Sequence, residues 1–402
     1  MSNLNETTSA DRIHIGFFGM RNAGKSSLVN AITGQALSVV SDVAGTTTDP
    51  VRKAMELLPL GPVLIIDTPG LDDEGTLGEM RVQKARQVLA TVHVAVLVVD
   101  ALRGMSELDR TLLSLFEERK LPYLIALNKC DLLPDRPATE PTAHYVSAAT
   151  GEGVHELKEA LGAKATGTGN TRRLVSDLLT PDAPVVLVTP IDESAPKGRL
   201  ILPQQNTVRD ILDSHGTVVV CQDTELQKTL SMLAVPPCLI VTDSQAFGRV
   251  ARLVPAGVPL TSFSILFARF KGDLPSLVRG AAALSHLRDG DRIIIAEGCT
   301  HHRQCNDIGT AKMPRWIEEV SGAQPQYTFT SGGDFPEDLS EYKLIVHCGG
   351  CMLSEKEMQH RMAKAEAAGV PMVNYGVAIA HMHGILRQSL APFPDVQKLL
   401  EP

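Results

Sequence analysis

Gly19-Met20-Arg21-Asn22-Ala23-Gly24-Lys25-Ser26 is the stretch that decides the fold of the first part of the chain. It fits the phosphate-loop pattern GxxxxGK(S/T), and its surroundings suit that reading, with the apolar run Ile13–Phe18 before it and SSLVNAI after it. A strand that turns through glycines into a helix points its backbone N–H groups at a phosphate. Lys25 then supplies a point charge for the β- and γ-phosphates, and Ser26 a hydroxyl for Mg²⁺. The residues expected to touch the nucleotide here are Gly19, Asn22, Ala23, Gly24, Lys25, Ser26 and Ser27.

Three further motifs follow in order. Asp67-Thr68-Pro69-Gly70 comes after an apolar run, so Asp67 can hold Mg²⁺ through water while the Gly70 N–H senses the γ-phosphate. Asn128-Lys129-Cys130-Asp131 ends another run, and the Asp131 carboxylate can accept from both N1 and N2 of guanine. Adenine lacks that donor pair and would leave the acceptor unpaired, so the motif selects GTP and GDP. Ser147-Ala148 fits the loop behind the base. Gly45-Thr46-Thr47-Thr48-Asp49 stands at the first switch. These motifs resemble the TrmE/Era-like translation-factor class of GTPases, whose signature is GTTRD, with Thr48 in place of the usual Arg. The resemblance implies that Thr47 contacts Mg²⁺ and the γ-phosphate, and that Asn22 ligates K⁺. Leu71 stands where Ras-like enzymes carry a water-orienting Gln, which predicts slow intrinsic hydrolysis. Asp72, Asp73, Glu74 and Glu79 are read as solvated switch residues rather than catalysts.

The remaining sequence also alternates apolar, β-branched runs with amphipathic stretches, which predicts parallel α/β architecture. The fold class expected is a Ras-like P-loop GTPase domain followed by two further α/β domains with mainly parallel sheets. At 402 residues the chain is long enough for two or three domains. The small, polar run TGTGNTRR over Thr166–Arg173 reads as a linker. The expected division is a disordered lead-in over 1–10, a GTPase domain over 11–166, a middle domain over 174–262 and a last domain over 263–402. Strands are expected near Val185–Thr189, Thr217–Cys221, Cys238–Thr242, Arg292–Ala296, Tyr342–His347 and Pro371–Asn374, and a helix over Glu355–Ala367. No repeat is visible in the sequence. The formal charge of −8, without a basic block, argues against a nucleic-acid partner. No apolar run approaches the roughly 20 residues of a membrane helix. The polar N-terminus has no signal-peptide character, so the expected location is cytoplasmic.

Of seven cysteines, four fall between 299 and 351. Cys299-Thr300-His301 directly follows the run RIIIAEG, and His347-Cys348-Gly349-Gly350-Cys351 directly follows KLIV. In a parallel sheet both groups emerge at the carboxyl edge, where ligands bind, and two adjacent strands would bring the thiols together. Three thiols and a histidine suit either a tetrahedral Cys₃His zinc site or a [4Fe–4S] cluster on three thiolates. Buried reduced cysteines at strand ends are the plain alternative. Cys305 with His302 is read as a spare thiol rather than a second metal site. Cys221, Cys238, His381, His383 and Trp316 are read as structural.

A GTPase domain followed by CxH, a gap of several tens of residues and HCxxC resembles the [FeFe]-hydrogenase maturation GTPase (HydF) family over essentially the whole chain. The resemblance implies that Cys299, Cys348 and Cys351 hold a [4Fe–4S] cluster, with His347 as a labile fourth ligand and His301 close by. It implies a homodimer through the middle domain, and a scaffold that receives a di-iron subcluster from radical-SAM maturases and delivers it to apo-[FeFe]-hydrogenase. The rival expectation is a GTPase with a structural Cys₃His zinc site, acting in RNA modification or ribosome assembly.

Overall fold

The computed structural model describes residues 12–34, 51–58, 60–69, 85, 87–165, 173–191, 200–298, 308–332 and 334–401. The chain divides into two compact units, Met1–Asn170 and Thr171–Pro402.

In the first unit the elements run β1 (Ile13–Phe18), α1 (Lys25–Thr33), β2 (Val51–Leu57), β3 (Gly61–Asp67), β4 (Val94–Asp100), α2 (Glu107–Glu118), β5 (Tyr123–Asn128), β6 (Ala143–Tyr145) and α3 (Val154–Ala165). They form a six-stranded sheet of order β2-β3-β1-β4-β5-β6, parallel except where β2 pairs antiparallel with β3. The central strand β4, VAVLVVD, is apolar at consecutive positions because both its faces are covered. Val94, Val96 and Val98 enter one core, with α1 and α3 residues such as Leu28 and Leu157. Ala95, Leu97 and Val99 enter the other, with Leu112 and Phe116 of α2. Ser106 and Asp109 close a reciprocal capping box on α2.

The second unit holds two four-stranded sheets. The first is built from β7 (Val185–Val188), α4 (Leu202–Asp213), β8 (Val218–Cys221), α5 (Leu226–Met232), β9 (Leu239–Thr242), α6 (Phe247–Val250), β10 (Leu260–Ser262) and α7 (Phe263–Lys271). After α8 (Leu274–Ala281), the second is built from β11 (Arg292–Glu297), α9 (Met313–Ser321), β12 (Gln326–Ser331), β13 (Leu344–His347), α10 (Glu355–Ala367), β14 (Met372–Asn374) and α11 (Tyr375–Met382). The strand orders are β10-β9-β7-β8 and β12-β11-β13-β14, all pairs parallel.

Both sheets wind alike. The first strand is interior, the second lies on one side of it, and the third and fourth lie on the other. In each, the last residue of the fourth strand caps the helix that follows, Ser262 accepting from the Ile265 N–H and Asn374 from the Val377 N–H. The winding is repeated although the sequence carries no visible repeat. Helix α7 lies between the sheets, and Phe263, Leu266 and Phe267 join Val185 and Leu239 of one sheet to Ile294 and Val346 of the other in a single core.

The strands that sequence patterning did not single out are β2, β6, β10 and β12, of which β10 is the three-residue LTS. VRKAMEL is exposed along most of its length, AHY is three residues long, and QYTFTS is a half-wet edge strand. None carries the continuous apolar run of a buried strand. Among the described residues no helix is long and apolar enough to cross a membrane.

Candidate functional site

The phosphate loop joins β1 to α1 through a backbone that only certain residues tolerate. Gly19 and Gly24 have φ of 137° and 89°, and Asn22 adopts the left-handed region at 62°. A Cβ on Gly19 would lie 2.2 Å from the Val98 carbonyl oxygen, and one on Gly24 2.2 Å from Asn128 Nδ2. Glycine at both positions therefore follows from close approach as well as from φ. Lys25 is buried and donates to the carbonyls of Gly19 and Met20 at 3.0 and 2.9 Å, which holds the ammonium across the loop. The Ser26 hydroxyl donates to Asp67 Oδ2 at 2.6 Å. These two come from α1 and the end of β3, and their adjacency is the donor set that Mg²⁺ needs: a hydroxyl and a carboxylate side by side at the phosphate loop. Thr68, which follows Asp67 in the second motif, is tied to the Phe17 carbonyl through its hydroxyl at 2.6 Å.

Base recognition is organised by Asn128, which is buried. Its Nδ2 donates to the Ala23 carbonyl at 2.9 Å, and its Oδ1 accepts from the Ala148 N–H at 3.0 Å. One side chain thus ties the phosphate loop, the Asn128–Asp131 turn and the Ser147–Ala148 loop together. Lys129 is left-handed at φ 65° and pairs with Asp100 at 2.5 Å. Asp131 stands exposed in the following turn, open to a base. Ser147 is fully buried, and its Oγ accepts from the Thr150 N–H. Sequence reasoning did not find the support beneath this turn. Arg136 pairs with both oxygens of Glu152 and donates to the Cys130 carbonyl at 3.0 Å. The Cys130 thiol is fully buried, and burial pushes its pKa up.

At the carboxyl edge of the last sheet, the adjacent strands β11 and β13 bring Gly298 beside the Cys348 motif. The Gly298 N–H, immediately before Cys299, donates to Cys348 Sγ at 3.0 Å, and the Gly350 N–H approaches the same sulfur at 3.4 Å. Two backbone donors aimed at one sulfur suit a thiolate better than a neutral thiol, as in a metal–thiolate site. Gly298 is required by packing, since a Cβ there would lie 2.7 Å from Leu353 Cγ. Cys348 and Cys351 are half-buried.

His347 is fully buried between two partners. Its Nδ1 lies 2.8 Å from the Cys348 carbonyl and its Nε2 3.0 Å from Arg361 Nη1. Arg361, itself 1% exposed, also binds Glu357 and the Gly332 carbonyl. Burial first, then the Arg361 charge, lower the His347 pKa to about 3. The ring is therefore neutral, donating from Nδ1 and accepting at Nε2. In this arrangement both ring nitrogens are engaged by the protein.

Thr47, Gly70, Cys299 and His301 lie outside the described residues, as do the neighbouring switch carboxylates and His302 and Cys305. Among the described residues no group of three or more His, Cys, Asp or Glu gathers as a metal site. Cys221, Cys238 and Trp316 pack partly buried against the cores. His381 meets Ser285, and His383 lies edge-on to Trp316.

Comparison with known proteins assigns all three regions. Residues 14–129 match the family model described as 50S ribosome-binding GTPase, and this region is a GTPase domain. Residues 174–272 match the hydrogen maturase F dimerization domain, and residues 275–392 the hydrogen maturase F tetramerization domain. GTPase Der of Nitratidesulfovibrio vulgaris (strain Hildenborough) is 42% identical over 120 residues, 29% of this chain and 24% of that protein. The tRNA modification GTPase MnmE of Nitrosomonas europaea is 37% identical over 149 residues, 36% of this chain and 32% of that protein. The chain thus spans about a quarter to a third of the length of these relatives. The crystal structure of a probable GTP-binding protein EngB covers 38% of this chain and 99% of its own, with 22% identity and a TM-score of 0.32.

Proposed function

Because the chain belongs to the hydrogen maturase F family, we propose that it is a GTP-hydrolysing scaffold that binds a [4Fe–4S] cluster. On this reading it assembles the di-iron subcluster as cargo and delivers it to apo-[FeFe]-hydrogenase, with radical-SAM maturases as donors. The observation that carries the cluster reading is the 3.0 Å contact from the Gly298 N–H to Cys348 Sγ. It brings Gly298, the residue before Cys299, against the Cys348 motif, which supports a reading in which three thiolates converge from two adjacent strands. Cys299, Cys348 and Cys351 would hold the cluster, with His301 close by. His347 would serve as fourth ligand only after leaving Arg361. A cluster on three thiolates supplies an iron whose fourth ligand exchanges, a point of attachment for cargo.

In the GTPase domain, Lys25 would leave the Gly19 and Met20 carbonyls for the β- and γ-phosphates. Ser26, Asp67 and Thr47 would hold Mg²⁺, whose charge offsets that of the phosphate oxygens. The N–H of Gly70 would follow the γ-phosphate, and Asn22 would ligate K⁺. Contacts to the γ-phosphate at Thr47 and Gly70 order their loops before hydrolysis and release them after it, so the nucleotide state switches partner binding. The dimerization domain supports a homodimer, and the tetramerization domain extends assembly further. The proposed location is the cytoplasm.

Anaerobic reconstitution followed by iron, sulfide and zinc analysis and EPR tests the cluster reading. About four irons per chain, lost on replacing Cys299, Cys348 or Cys351 with Ala, is the expected result. Stoichiometric zinc without iron would overturn it. For K⁺, turnover should be faster in KCl than in NaCl at equal ionic strength; equal rates refute the role given to Asn22.

A further inference from the structure

Helix α7 ends in a lysine that points away from water. Lys271 is 2% exposed, and its Nζ donates to the carbonyls of Gly350 at 3.3 Å, Cys351 at 3.0 Å and Leu353 at 2.8 Å. An ammonium has three N–H donors, and here three carbonyls of one short loop receive them. Burying such a charge is costly unless it is well satisfied, so a lysine in this place is not a casual filler. The loop it grips begins with the two thiols. Gly350 is left-handed at φ 62°, and the Leu353 N–H returns to the Gly350 carbonyl at 3.0 Å, closing a tight turn directly after Cys348. Leu353 in turn packs against Gly298, the residue before Cys299. Lys271 therefore braces the turn that carries Cys351 and, through Leu353, the packing against Gly298. It does so from the far end of a helix assigned to the dimerization domain, while the loop is assigned to the tetramerization domain.

We propose that Lys271 is a positioning residue for the cluster, fixing the Cys348–Leu353 turn through its three carbonyls and setting an ammonium charge against the backbone of that turn. The inference rests on the cluster reading above. A cation held against the backbone of Cys351 stabilises the more negative, reduced state of whatever iron–sulfur group the thiolates hold, and so raises its potential. Residues that orient ligands in this way typically change metal retention by 10–100-fold when lost.

The test uses the full-length chain, its Lys271→Met variant, which keeps the stem and removes the charge, and Lys271→Arg. After anaerobic reconstitution, each is followed for loss of cluster to an iron chelator and for its midpoint potential by EPR-monitored titration. The expected result is about tenfold faster loss in Lys271→Met. Its potential should move in the negative direction, with GTP turnover as in the unmodified chain. Lys271→Arg should restore the potential but not the full retention, because the guanidinium cannot set three donors at the ammonium's position. Unchanged loss and potential in Lys271→Met overturn the proposal. Faster loss with an unchanged potential also overturns it, since ordinary packing would then account for the residue. If Lys271→Met does not fold by circular dichroism, Lys271→Arg decides: retention equal to the unmodified chain refutes the clamp, and faster loss at an unshifted potential supports it. If the unmodified chain takes up no iron, the cluster reading falls by itself. The clamp is then read on the metal-free chain from the alkylation rate of Cys351, faster in Lys271→Met if it holds and equal if it does not.

Discussion

Asn128 and Asp131 divide one recognition task between a buried and an exposed side chain. Asn128 spends one N–H on the Ala23 carbonyl and one lone pair on the Ala148 N–H, so it fixes the pocket and keeps its second N–H to offer the base. Asp131, exposed three residues on, makes the choice. Asp131→Asn is expected to weaken GTP binding by roughly 100-fold and to favour xanthosine triphosphate, since an amide both donates and accepts where xanthine has a carbonyl. Titration with fluorescent nucleotides checks this, and an unchanged preference for GTP would contradict the role. These residues could be read from the sequence because each sits in a short contiguous motif. The pairs that support them could not. Asn128 meets Ala23 across 105 positions, Lys271 meets Cys351 across 80, and His347 meets Arg361 across 14. None of these pairs has a local spacing pattern, and only the folded topology joins them.

At the level of elements, the sheets owe their order to close approaches that leave no room for a side chain. Helix α8 crosses β14 at Gly280, where a Cβ would lie 2.1 Å from the Met372 carbonyl oxygen. Helix α11 passes α7 at Gly376, where it would lie 2.2 Å from Ser264 Cβ. Gly280→Ala is expected to destabilise the second unit by about 1–3 kcal/mol, because the obstacle is backbone and cannot rotate aside. A lower melting transition with unaltered GTP affinity is the predicted reading; an unchanged transition would mean that the helix shifts freely. The buried strands β1, β4, β5, β7 and β13 were legible as apolar runs. The edge strand β12 was not, since it shows water one side and reads as an ordinary polar stretch.

At the scale of the whole molecule, the chain has two compact units whose cores share no residues, one spanning Ile15 to Ala165 with its partner cluster and the other Leu174 to Phe393. Calorimetry is expected to show two transitions, and GTP at about 100 times its Kd should stabilise one of them by roughly 2.7 kcal/mol while leaving the other in place. A single transition moved as a whole by GTP would contradict this separation. The nucleotide unit and the thiol motifs were legible because each is announced by contiguous residues. The common core of the second unit was not, because α7 has apolar residues around most of its circumference and the sequence does not say that it faces two sheets. That shared helix bears on how such a protein can descend. Two regions that family models separate near residue 273 cannot be shuffled between genes as independent modules, since parting them would strip α7 of one of its neighbours and open both halves to water. The dimerization region and the strand ends that carry Cys348 and Cys351 must be inherited as one block.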